Sequence, residues 1–256
     1  AVASPRFTKG NVMDFVPADQ APTLTRVQVG DRPSDIIGFA IEAGRAGKVA
    51  LATLVDIRGG AARALGSHVA VSGDGRYCGY VSGGCVEAAV AAEALSAIAE
   101  GRDRVVSFGK GSPFFDIVLP CGGGITVAIH VVNDVEPLHD VLHQLDARRA
   151  AGLRYCSHRQ SMAIVAAPVR TGWEGEEFIT VYRPLTRIAI SGSGIEAEIL
   201  ARVAEACGWM TERPGSANFH VAATFDEFTA IILLHHDLDA ERLALDRALQ
   251  SSSFYI

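Results

Sequence analysis

Hydrophobic positions along this chain switch between two periods, and each switch marks an element. Val49–Ile57 (V-A-L-A-T-L-V-D-I) is a nearly continuous apolar run, the pattern of a central strand covered on both faces. Ahead of it, Ile36, Ile37, Ala40 and Ile41 recur at helical spacing behind the capping residue Ser34 and stop near Gly44. Beyond the break at Gly59-Gly60, Val69, Val71, Tyr77, Gly79 and Val81 lie in short β-prone runs split by Gly73-Asp74-Gly75, which predicts a hairpin. Val86, Ala89, Val90, Ala94 and Ile98 then return to helical spacing as far as Gly101. Val105–Phe108 and Ile125–Val132 read as strands, and Leu138, Val141, Leu142 and Leu145 predict a helix from Asp134 up to Gly152. Ser161–Pro168 and Glu177–Tyr182 flank Gly172-Trp173-Glu174-Gly175 as a hairpin.

A second unit begins after Arg183-Pro184. Leu185–Ser191 is a strand pattern entering Gly192-Ser193-Gly194-Ile195-Glu196-Ala197, followed by a helix with Ile195, Ile199, Leu200, Val203 and Ala206 expected inward. Strand, G-x-G-x-x-A and helix in that order form the dinucleotide-binding fingerprint, with Gly192 making the turn and Gly194 admitting a phosphate. The next strand, which should end in an acid for a ribose hydroxyl, is missing as a pattern. Trp209-Met210-Thr211-Glu212-Arg213-Pro214-Gly215 is too short and too polar, and only Glu212 stands near the required place. The unit is therefore expected to be incomplete, with residues absent after Met210 and beyond Ile256. Ala230–Leu234 reads as a buried parallel strand leading to His235-His236-Asp237 and a helix over Asp239–Leu249.

Composition narrows the function classes. A hydrophobic share of 49% with 20% charged residues can build real cores, and the net charge of −6 disfavours nucleic acid as a partner. No apolar run approaches a membrane span, and Ala1–Asp31 lacks a signal-peptide core, so a cytoplasmic protein without a membrane partner is expected. The five cysteines (Cys78, Cys85, Cys121, Cys156 and Cys207) are scattered, without a C-x-x-C pair, which fits neither a disulfide framework nor a zinc ribbon. His139 and His143 stand at helical spacing but lack a third ligand, so they read as solvated surface residues.

The chemistry concentrates at Ser82-Gly83-Gly84-Cys85, a strand-to-helix turn with Cys85 at the predicted helix start. Open backbone N–H groups there would attract an anion and favour a thiolate, making an anion cradle with a reactive sulfur. The alternative is a small buried cysteine in a structural turn. Pro120-Cys121-Gly122-Gly123-Gly124 offers a second glycine turn with a thiol, where structural and functional readings are equally open.

Val81-Ser82-Gly83-Gly84-Cys85-Val86-Glu87, followed downstream by Leu119-Pro120-Cys121-Gly122-Gly123-Gly124, resembles the XdhC/CoxI family of xanthine dehydrogenase accessory proteins. The likeness runs from near Ile36 to about Val132 and resumes at the Gly192 loop. It departs at Gly59-Gly60-Ala61-Ala62-Arg63, where the family has G-S-x-P-R: Arg63 is kept, while Gly60 and Ala62 replace the serine and proline. The resemblance implies a protein that binds molybdenum cofactor (molybdopterin) and protects it while a cysteine desulfurase supplies sulfur. It would then deliver the cofactor to an apo molybdenum hydroxylase of the xanthine dehydrogenase type. This is a chaperone rather than a catalyst, expected as a homodimer. On that reading Arg63, Ser82, Gly83, Gly84, Cys85, Glu87, Cys121, Gly122, Gly123, Gly192 and Gly194 contact the cofactor, with Cys85 and Cys121 as soft ligands for the metal. The competing class is an NAD(P)-dependent oxidoreductase using Gly192–Ala197.

The expected architecture is α/β. It comprises an arm over 1–30, a mixed α/β domain over 31–155, a hairpin connector over 156–184 and an incomplete Rossmann-like parallel-sheet domain over 185–256.

Overall fold

The computed structural model describes residues 22–109, 122–213, 225–234 and 237–256. In chain order the elements begin with β1 (Thr25–Arg26), α1 (Pro33–Ala46), β2 (Val49–Arg58), β3 (His68–Ser72), β4 (Arg76–Gly79) and α2 (Glu87–Glu100). They continue with β5 (Arg104–Gly109), β6 (Gly124–Val132), α3 (Glu136–Asp146), β7 (Ala151–Cys156), β8 (Ser161–Val165), β9 (Gly172–Glu174) and β10 (Glu177–Tyr182). The last are β11 (Arg187–Gly192), α4 (Ile195–Ala206), β12 (Met210–Glu212), β13 (Thr229–Leu234) and α5 (Leu238–Leu249). The fold is α/β, as the alternation of periods predicts.

The first sheet has the order β1-β4-β3-β2-β6-β5, and every neighbouring pair is antiparallel except β1 with β4. The apolar run of β2 is buried on both faces. Ala50, Ala52 and Leu54 pack under α2, while Val49 and Leu51 face α1 and α3. A register shift at Leu54/Asp56 leaves Val55 out of the ladder with β6. Its carbonyl oxygen instead accepts the Trp173 indole N–H at 3.0 Å. The strand Thr25–Arg26 at the sheet edge corrects the expectation of a loosely packed arm for that stretch. Thr25 N–H donates to the Gly75 carbonyl and Val27 N–H to the Tyr77 carbonyl, both at 2.9 Å.

The connector is larger than a hairpin. β8-β7-β10-β9 is a four-stranded antiparallel sheet. It packs against the first sheet through Tyr155 and Phe178 on Val55 and Ala128. Gly152 was expected to end a helix, but α3 ends at Asp146 and Ala151–Cys156 pairs along its length with β10. Arg148, at positive φ between the two, turns the chain from helix to strand. Two buried polar clusters tie these layers together. His68 bonds the Thr53 hydroxyl at 3.0 Å and the Tyr182 hydroxyl at 2.6 Å. Asp103 accepts from His130 at 2.8 Å, from Val131 N–H at 2.9 Å and from the Tyr155 hydroxyl at 3.0 Å.

The last unit is a parallel three-stranded sheet of order β12-β11-β13, with α4 against one face and α5 against the other. The polar tripeptide Met210-Thr211-Glu212, which carries no strand pattern, pairs with Arg187-Ile188-Ala189. The backbone ladder needs only carbonyls and N–H groups, so side-chain polarity does not forbid it at a sheet edge. Helix α4 is rotated from the expected phase: Ala197, Ala201 and Ala204 are buried, and Ile195, Ile199 and Val203 point outward. Arg148 clamps this unit to the rest by a two-point ion pair with Asp226, at 2.8 and 3.0 Å, and by bonds to the Leu185 and Phe228 carbonyls.

Candidate functional site

Strand β4 delivers the chain to Val81–Val86, a tight loop before α2. The helix begins at Glu87, two residues later than Cys85. The reason is Glu87 itself, which folds back under the loop and is 1% exposed. Its carboxylate accepts the N–H groups of Val81 (2.9 Å), Ser82 (2.8 Å), Gly83 (3.1 Å), Gly84 (2.9 Å) and Val86 (3.2 Å). The Ser82 hydroxyl donates to the same carboxylate and accepts the Cys85 and Val86 N–H groups at 3.1 and 3.2 Å. Burial pushes the Glu87 carboxyl up, but the bonds from Ser82 and Val81 outweigh it and hold its pKa below the ordinary glutamate range. This corrects the expectation of open amides at Ser82, Gly83 and Gly84. The turn is an anion cradle, and its anion is Glu87, a residue expected to touch the cofactor. What remains available is the thiol, for Cys85 is exposed and free.

Three loops meet at this end of the first sheet. The antiparallel order makes β4 run the same way as β2, so Gly79 and Arg58 leave the sheet at one end, and Gly124 of β6 pairs with Arg58 there. Contacts follow that topology. A Cβ on Gly83 would lie 3.3 Å from the Ala62 methyl. A Cβ on Gly123 would lie 2.1 Å from the Gly60 carbonyl oxygen, so only glycine fits where these backbones cross. Gly122, Gly123, Arg63 and the Ser82–Cys85 turn thus share one end of the sheet. Cys121 lies outside the described residues. Among the described residues no three His, Cys, Asp or Glu side chains gather to hold a metal.

A cavity of about 420 Å³ opens beside Gly83, lined by Arg26, Asp31, Arg63, Gly79 and Tyr80 among others. The guanidinium of Arg26 lies over the Tyr80 ring at 3.8 Å, and that of Arg63 at 4.8 Å. Arg26 and Tyr80 escaped the sequence reading. The only signal was the alternation Val27-Gln28-Val29 after Arg26, a short edge-strand pattern in a polar stretch.

The Gly192–Gly194 turn stands apart from this cluster in the third sheet. A Cβ on Gly192, at φ 136°, would come 2.2 Å from the Leu234 carbonyl oxygen, so this glycine is required by strand packing. A Cβ on Gly194 would meet the Glu196 carboxylate at 3.1 Å, which puts a negative charge beside the expected phosphate position. Glu212, the expected ribose acid, is paired with Arg187 at 3.2 Å. His235 and His236 lie outside the described residues. His139 is bonded to Arg45 at 2.9 Å.

The XdhC and CoxI family model matches residues 42–109, which carry the central strand, the Arg63 loop and the Cys85 turn. Over 222 residues the chain is 47% identical to the molybdenum cofactor insertion chaperone PaoD of Escherichia coli (strain K12), spanning 86% of this chain and 70% of that protein. A crystal structure of a xanthine dehydrogenase from Bacillus halodurans superposes with a TM-score of 0.67 at 19% identity, over 86% of this chain and 80% of that one. At that identity the likeness is one of fold.

Proposed function

Because this chain belongs to the XdhC and CoxI family, we propose that it binds molybdenum cofactor as an accessory chaperone and passes it to a molybdenum enzyme. The observation that carries this reading is the meeting of the Arg63, Cys85 and Gly122–Gly123 loops at one end of the sheet, with the Cys85 thiol exposed there. The relative's name as a molybdenum cofactor insertion chaperone supports the same reading.

The donor set fits the cargo. Molybdenum bound by an ene-dithiolate is a soft centre, and a cysteine sulfur is a soft ligand for it. The Cys85 thiol stands on a loop made rigid by Glu87, so it is presented without its own backbone having to rearrange. Gly122 has open space where a side chain would stand, which leaves room for a ligand, while Gly123 lets its backbone close on the Gly60 carbonyl and fix the loop. On this proposal a cysteine desulfurase meets the same exposed end of the sheet to supply sulfur, the acceptor is a hydroxylase of the xanthine dehydrogenase type, and the working form is a homodimer. The nicotinamide reading gains no support from the third sheet, where Glu212 is paired with Arg187.

Anaerobic purification followed by oxidation and fluorescence of any bound pterin tests the proposal. Pterin carried by the parent and lost from Cys85→Ala is the expected result. A parent that neither carries nor takes up pterin would overturn it.

A further inference from the structure

The cavity beside Gly83 has a chemistry of its own. Two arginines and one aspartate line it, in a chain whose net charge is −6. Arg63 is held by Asp31 at 2.8 Å. Arg26 donates to the Gly79 carbonyl at 3.1 Å, and among the described residues no carboxylate pairs with it. Both guanidiniums rest over the Tyr80 ring, which gathers two like charges on one aromatic wall. A concentration of positive charge with unused planar donors is the arrangement that recognises an oxyanion, and a phosphate dianion answers two guanidiniums better than a carboxylate does.

We propose that this cavity is a phosphate-monoester site, with Arg26 and Arg63 as the guanidinium pair and Tyr80 as the surface that orients them. The inference rests on the proposed function, since the phosphate is taken to belong to the ligand whose soft end meets Cys85. The walls are fixed before any ligand arrives. β1 is pinned to β4 by backbone bonds, and the Arg32 N–H is held by the Asp35 carboxylate at 3.3 Å, which anchors the Gly30–Asp31 stretch against the start of α1. The volume of about 420 Å³ exceeds the needs of a lone phosphate and lies within the range of small-molecule sites. The surplus space runs to Gly83, on the same loop as the Cys85 thiol, so a ligand with a phosphate at one end and a soft metal centre at the other spans the two. Glu87 has a part in this too. By occupying the loop amides it removes them as competing phosphate ligands and leaves the arginines to do the recognising.

The test titrates inorganic phosphate calorimetrically into the parent, Arg26→Ala, Arg63→Ala and Cys85→Ala, and measures pterin retention in the same four proteins after thermal melts have shown them folded. Arg26 is exposed, so its replacement leaves the core intact even if Arg63→Ala fails to fold. Phosphate binding by the parent, weakened at least tenfold in each arginine variant and unchanged in Cys85→Ala, is the expected result, with pterin retention falling in all three. Equal phosphate affinity in parent and Arg26→Ala, no phosphate binding by the parent, or full pterin retention by Arg26→Ala would overturn the site while leaving the chaperone reading standing. Arginine-dependent phosphate binding in a parent that takes up no pterin would do the reverse: it supports the site and sinks the chaperone reading.

Discussion

Replacing Glu87 tests the account of the Cys85 loop most directly. Five backbone N–H groups and the Ser82 hydroxyl converge on its carboxylate. Not all of that is lost when the side chain is cut to alanine. Gly83 and Gly84 are exposed, so water replaces the carboxylate at their amides. Val81 is buried and its N–H would be left without a partner, whereas the buried Val86 N–H keeps the Ser82 hydroxyl as an acceptor. Each orphaned buried donor costs about 1–3 kcal/mol, and removal of an acid from the first turn of α2 adds about 0.3–1 kcal/mol. Glu87→Ala should therefore lose about 3 kcal/mol, a large part of the total for a domain. Glu87→Gln keeps one acceptor but turns an NH₂ toward the same donors, and should lose about half as much. The pH dependence has a fixed sign. A carboxyl held below its unfolded value of about 4.3 contributes fully above that pH, and the contribution disappears as pH falls through the lower folded value. Urea unfolding of parent and variants at neutral pH and through the acid range measures both effects. An alanine variant within about 1 kcal/mol of the parent at neutral pH would mean that the loop does not depend on its internal anion.

Other outcomes follow from the same structure. The buried imidazole of His68 has its pKa lowered to about 4 by desolvation; the unfolded chain, near 6.5, binds the proton first, so stability present above that value is lost as pH falls towards 4. His68→Gln should flatten this dependence by about 3 kcal/mol in pH-dependent denaturation, and an unchanged slope would contradict the burial. Alkylation followed by peptide mass spectrometry should mark Cys85 and Cys207, which are exposed, well before Cys78 and Cys156, which are buried; burial also pushes the Cys78 thiol up to about 12. Arg148→Ala removes the two-point pair with Asp226 and should cost about 2 kcal/mol, given its partial exposure. Faster proteolysis near Arg183–Thr186 would report the loosened third sheet, and an unaltered cleavage rate would refute the clamp.

Several features of this protein follow from local sequence. The run Val49–Ile57 had to be a central strand because no alternating face was left for water, and both of its faces are buried. The glycine pairs marked turns correctly, since a turn at positive φ or a backbone crossing excludes a Cβ whatever surrounds it. The family resemblance was legible from the Ser82–Glu87 turn and its downstream glycines, because those residues meet a local backbone requirement. The sequence misled where partners come from afar. Loop amides look open until Glu87 folds under them, and nothing in the order Ser-Gly-Gly-Cys-Val-Glu reveals where that side chain points. Helix α4 turned its alanines inward because close approach to β11 rewards small residues, whereas hydrophobicity alone selects Ile195, Ile199 and Val203. Met210–Glu212 became a strand because β11 offered an unpaired edge, a property of its neighbour and not of its own side chains. The cavity of Arg26, Arg63 and Tyr80 joins three segments distant in the chain, and only strand order brings them to one wall. Backbone conformation is encoded locally, whereas a site is a coincidence in space that packing alone creates.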